Sequence, residues 1–177
     1  MKSSRKIMQI VILSAVLIIG GYAIGTTLFA SGESGGIPKV GGTPPEFKLV
    51  DLQGNVHQLS DYKGKAIVVN FWGTFCPPCV KEMPEFERQF AKWQNDGLEI
   101  LAINLSEDTL TVNNFVRQFE LNYPILRDVD RKTERKYGLK SYPTTFFVKP
   151  DGTIMDITVG GMTEEYIDER IEKLLTY

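Results

Sequence analysis

The sequence predicts an α/β sandwich: one globular domain behind a single N-terminal transmembrane helix. Three observations carry this. From residue 37 onward, short β-branched apolar runs alternate with stretches of helical periodicity and close on a hairpin and a last helix. A Cys-x-x-Cys motif falls where the most apolar of those runs, Ala66 to Trp72, gives way to a helix. Ahead of the domain, Ile7 to Ala30 is 24 residues without a charge.

Residues 1–6 hold Lys2, Arg5 and Lys6 and form a short cytoplasmic N-terminus. At about 1.5 Å per residue the span 7–30 reaches roughly 36 Å as a helix, enough to cross a bilayer with some tilt. A cleaved signal peptide has a shorter apolar region, and a cut near Ala30 would put Leu28 where a small residue is wanted. Basic residues before the span and none just after it orient a single-pass type II anchor, with the domain outside the cell membrane. Residues 31–36 are small and polar and form a tether. The domain occupies 37–177.

Within it, 46–52 and 56–59 alternate as strands around the turn Gln53-Gly54-Asn55, an N-terminal hairpin. Residues 65–72 form a central strand covered on both faces. Over 78–95, Met83, Phe86, Phe90 and Trp93 recur at helical spacing and mark a face packed on the sheet. A strand at 98–105 and helices at 110–119 and 132–137 follow. Strands 144–149 and 153–159 turn at Pro150-Asp151-Gly152, and a final helix at 164–175 buries Ile167, Ile171 and Leu174.

The chain has 20 basic and 22 acidic residues, and the three basic residues of the N-terminus leave the remainder at −5, with 17 basic against 22 acidic. That balance excludes a nucleic-acid partner, which needs a basic face. With only two cysteines, three apart, no disulfide framework staples distant segments.

The motif is Phe71-Trp72-Gly73-Thr74-Phe75-Cys76-Pro77-Pro78-Cys79. A sulfur at a helix N-terminus faces unpaired N–H groups and the positive end of the helix dipole, both of which favour thiolate. Cys76 is therefore the expected nucleophile, and Cys79, one turn in, resolves the mixed disulfide. Pro78 suits the first helical turn. Two blander readings compete. A zinc half-site would need more ligands than the lone His57 offers, and a purely structural bridge over so short a loop constrains little. No cofactor or metal is implied.

On these residues the chain resembles the thioredoxin superfamily, and within it the extracytoplasmic TlpA/ResA group of cytochrome c maturation reductases. The resemblance covers 37–177 and rests on Gln58-Leu59-Ser60-Asp61-Tyr62-Lys63-Gly64-Lys65, on Asn70-Phe71-Trp72-Gly73-Thr74 and on an inserted strand-helix region around 104–137. It implies a thioredoxin-like three-layer sandwich, and a cis-proline at Pro143 in Tyr142-Pro143-Thr144 that lies across from the sulfurs. Trp72, Pro77, Pro78, Tyr142 and Pro143 would then bind substrate. Glu82, which faces inward by helical phase, matches a functional glutamate of ResA-type proteins and would manage protons, since Asn70 stands where cytoplasmic thioredoxins carry a buried aspartate.

The implied activity is reduction of disulfides in exported proteins, above all the haem-binding cysteine pair of an apocytochrome c. Electrons would come from a CcdA-type membrane partner. Pro77 departs from the Glu-Pro usual between ResA cysteines; Pro-Pro is the pattern of StoA-type sporulation reductases, which serve spore cortex synthesis. Gly42-Thr43-Pro44-Pro45-Glu46-Phe47 is shared with peroxiredoxins, but neither cysteine has their P-x-x-x-T-x-x-C arrangement. A redox-silent binding module is the remaining alternative.

Overall fold

A computed structural model describes residues 12, 14, 17, 18, 20 and 36–177. The expected membrane span lies almost wholly outside these residues. Among the described residues no helix is long and apolar enough to cross a membrane.

The N-terminal hairpin is β1 (Lys48–Asp51) and β2 (Val56–Gln58), paired antiparallel with Val50 opposite Val56. Gly54 takes φ +91° in its turn, a value that a side chain rarely allows. The Asp51 carboxylate closes the loop by accepting from the N–H groups of Gln53 and Asn55 at 2.9 and 2.8 Å. A 3-10 turn at Leu59–Tyr62 leads into β3 (Ala66–Trp72), all seven residues of which are buried.

Helix α1 (Pro77–Trp93) follows, then a short 3-10 turn that stops at Gly97 with φ +92°. Next come β4 (Leu98–Leu105), α2 (Thr109–Gln118), β5 (Ile125–Asp128) and α3 (Lys132–Lys136). The chain closes with the hairpin β6 (Thr144–Val148) and β7 (Ile154–Val159), and with α4 (Glu164–Leu175). Among the described residues seven strands form one sheet in the order β2-β1-β5-β4-β3-β6-β7, with β3 between a parallel β4 and an antiparallel β6. This is the thioredoxin-like α/β architecture with the expected N-terminal hairpin.

The two-residue period of β3 splits the core. Val68 and Trp72 join Cys79, Met83 and Phe86 of α1, Phe115 of α2 and Ile167 and Ile171 of α4 on one face. Ile67, Val69 and Phe71 meet Phe47, Leu59, Tyr137 and Phe146 on the other. That second face is covered by Phe47 and Leu59 and by Tyr137, which caps α3.

Candidate active site

The site grows from the C-terminal end of β3, where Gly73 to Phe75 turn the chain into α1. The turn is tight: the Cys76 N–H donates to Gly73 O at 3.2 Å. Helix α1 begins at Pro77, one residue earlier than its periodicity predicts, so Cys76 is the N-cap itself. Its Sγ accepts from the Cys79 N–H at 3.4 Å, the contact expected of a sulfur on the open end of a helix. The two cysteines are joined as a disulfide with Cα atoms 5.3 Å apart. Cys79 is fully buried and Cys76 is 8% exposed, so the N-cap sulfur is the more accessible of the two.

Glu82 lies one turn beyond Cys79 on the same buried face of α1 and is 1% exposed. Its Oε1 accepts from Asn70 Nδ2 at 2.9 Å, and its Oε2 accepts from the Met162 N–H at 3.3 Å. Asn70, at the middle of β3, also donates from Nδ2 to Thr145 Oγ1 on β6 at 2.9 Å. One carboxylate thus ties together α1, β3 and the loop after β7. Burial pushes its pKa from 4.5 up to about 7, and the hydrogen bonds from Asn70 and Met162 only partly oppose that shift.

The Tyr142–Pro143 peptide is cis, as the resemblance implies. The Pro143 carbonyl accepts from the Gly160 N–H at 2.8 Å. Tyr142 donates its hydroxyl to Glu134 and presents its ring edge-on to Phe75, with centroids 6.4 Å apart. Pro77 and Pro78 are exposed beside the sulfurs. Gly161 packs so closely on Pro78 that a Cβ there would lie 2.9 Å from the proline Cβ.

Trp72 is placed differently from the substrate-binding expectation. Its side chain is fully buried against Phe115, with centroids 4.9 Å apart, because the even positions of β3 point under α1 and α2. The aromatic ring open at this end of the molecule is Phe75, 54% exposed, which sequence reasoning does not single out. The residue just before a C-x-x-C at the mouth of a turn is the signal that could have found it.

Sequence reasoning also passes over Glu107, which follows β4 and whose carboxylate accepts from Thr74 and Asn104. The position was discoverable, since the carboxyl ends of neighbouring parallel strands converge on one place. His57, read only as a lone histidine, sits between Asp51 and the Tyr62 hydroxyl and braces the hairpin far along the sheet from the sulfurs.

Comparison with known proteins gives the arrangement its relatives. The AhpC/TSA family matches residues 40–157. The thiol-disulfide oxidoreductase ResA of Geobacillus thermodenitrificans (strain NG80-2) is 39% identical over 173 residues, 98% of this chain and 98% of that protein. The ResA of Bacillus subtilis (strain 168) is 36% identical over 168 residues, 95% of this chain and 92% of its own length. Among solved structures, StoA from Bacillus subtilis superposes with a TM-score of 0.62 at 27% identity, over 72% of this chain and 96% of that one.

Proposed function

The chain belongs to the AhpC/TSA family and to the ResA thiol-disulfide oxidoreductases, and from that premise we propose that it reduces disulfides in exported proteins, with the haem-binding cysteine pair of an apocytochrome c as its substrate. The observation that carries this reading is Cys76 Sγ facing the Cys79 N–H at a helix N-terminus, with the buried Glu82 one turn further on.

In the reduced protein Cys76 is the nucleophile. Its thiolate attacks one sulfur of the substrate disulfide, a mixed disulfide forms, and the other substrate sulfur leaves as a thiolate that takes up a proton. Cys79 then attacks Cys76 Sγ, the protein disulfide closes, and the second substrate thiol departs. Two electrons and two protons pass to the substrate. Cys79 is buried and must lose its proton as it attacks. Glu82, with a pKa near 7, is matched to accept that proton and to pass it to the departing sulfur. Tyr142, Pro143, Pro77 and Pro78 supply the surface for the substrate strand.

Electrons return from a CcdA-type membrane partner, and the apolar segment 7–30 anchors the protein with its domain outside the cytoplasm. A StoA-like role in spore cortex synthesis is the second reading, favoured by Pro77-Pro78. The AhpC/TSA match also raises peroxide reduction, which the missing P-x-x-x-T-x-x-C arrangement disfavours. Trapping and a peroxide assay together separate all three. Cys79→Ala, expressed in cells that make cytochrome c, stalls as a mixed disulfide through Cys76, and mass spectrometry of the adduct should return an apocytochrome c. A spore-cortex enzyme in its place would move the assignment to the second reading, and rapid peroxide consumption by the purified protein would move it to the third.

A further inference from the structure

The Glu107 carboxylate accepts three hydrogen bonds, one more than that of Glu82. Its Oε2 accepts from the Thr74 N–H at 2.8 Å and from Asn104 Nδ2 at 2.7 Å, and its Oε1 accepts from the Thr74 hydroxyl. The residue is itself held on three sides. Asn104, at the end of β4, is 1% exposed. The Glu107 carbonyl accepts from Arg127 of β5 at 3.2 Å. The next residue, Asp108, caps α2 by accepting from the Thr111 N–H at 2.9 Å. The carboxylate is thus fixed before it meets the Gly73–Cys76 turn, and the turn's one internal hydrogen bond, Cys76 N–H to Gly73 O, leaves Thr74 to be held from outside.

We infer that Glu107 is a positioning residue for the Cys76 thiolate, acting through Thr74 to set the phase of the turn that carries Cys76 onto the end of α1. The inference rests on the reading of Cys76 as nucleophile. With the N–H and the hydroxyl of Thr74 both fixed to Glu107, just beyond β4, the turn enters the helix at one angle, and that angle aims Cys76 Sγ at the Cys79 N–H. If the clamp is released the sulfur samples orientations off the helix end, where the dipole and the open N–H groups no longer favour thiolate. A role through charge would have the opposite sign. Removing a nearby carboxylate would then favour the thiolate.

The test is the rate of iodoacetamide alkylation of the full-length reduced protein across pH, with peptide mapping of the labelled cysteine, alongside equilibration with glutathione. In E107A the Cys76 reaction at pH 7 falls about tenfold, its titration moves upward, and the dithiol/disulfide equilibrium moves about tenfold toward the disulfide, about 30 mV. E107Q stays within about twofold of wild type, because the glutamine oxygen can accept both N–H donors while its amide donates to the Thr74 hydroxyl. T74V slows a few-fold, and E107A/T74V is no slower than E107A, since both changes release the same clamp. Wild-type rates in E107A, or in T74V should E107A not fold, overturn the inference. So does E107Q reacting as slowly as E107A, or any acceleration in either variant. Label found on Cys79 in the wild type would instead overturn the nucleophile assignment beneath it.

Discussion

At the scale of single residues, Glu82 makes the sharpest predictions. In the disulfide form the cysteines do not titrate, so its own proton can be followed. Its pKa is raised from 4.5 to about 7, so the fold favours the protonated acid. The stability this lends is complete below pH 4.5 and is lost as pH rises through 7. At about 1.4 kcal/mol per unit the loss is about 3 kcal/mol. Glu82→Gln cannot titrate. Its stability relative to wild type should therefore be greater at pH 8 than at pH 5 by about that amount, read from urea denaturation of the oxidised proteins. In the reduced protein the same variant should shift the Cys76 titration downward and remove one inflection, because carboxylate and thiolate each raise the other's pKa. Turnover should fall with it, as the proposed base is gone.

Asn70 acts on the same group from the other side. Its hydrogen bond opposes the effect of burial, so Asn70→Leu should push the Glu82 pKa higher still, by about one unit, a charge-assisted bond being worth about 1.5–3 kcal/mol. The pH profile of alkylation would show the inflection displaced upward. An inflection unmoved by the substitution would mean that Asn70 does not govern this carboxyl. That Glu82 faces inward was legible from its spacing after Cys79. Its two partners were not, because Asn70 and Met162 lie 12 and 80 residues away in sequence and only the sheet and the loop after β7 bring them together.

At the scale of elements, the start of α1 is pressed against the loop that leaves β7. Gly161→Ala places a methyl 2.9 Å from the Pro78 Cβ, and a proline ring at a helix start has little freedom to yield. Overpacking of this kind costs about 1–3 kcal/mol. Because Met162 follows directly, the displaced loop should also loosen the Met162 N–H contact to Glu82. The expected result is a lower denaturation midpoint together with an altered alkylation pH profile. Gly73→Ala makes a useful contrast. There the clash is with the Phe75 ring, which can swing away into solvent. Stability should change less, and the loss should fall on the Phe75–Tyr142 contact. The elements themselves were largely readable. β3, β4, α4 and the closing hairpin lie where their periodicity places them, since each pattern is long or flanked by clear turn residues. β5 is the exception: four residues, Ile-Leu-Arg-Asp, are too few to establish a period, and the strand exists because β4 and β1 flank it.

At the scale of the whole molecule, every buried hydrophobic among the described residues lies between Phe47 and Leu174, so the packed body needs nothing from the N-terminal segment. A chain beginning at residue 35 should fold with a stability within about 0.5 kcal/mol of the full-length protein in detergent, compared by denaturant titration. It should keep its redox poise as well. As a reductase its disulfide should equilibrate below about −200 mV, and a value near −120 mV would make it an oxidant. The sheet order has one more outcome. β3 is an interior strand, bonded to β4 and β6 along nearly its whole length, while β2 is three residues at an edge. In deuterium oxide the amides of Val68 to Phe71 should therefore trade their protons only when the entire chain opens, and those of β2 should trade theirs orders of magnitude sooner. The reactive turn hangs from the slowest clock in the protein, so the N-terminal hairpin can open and reclose many times over without disturbing the root from which Cys76 is held.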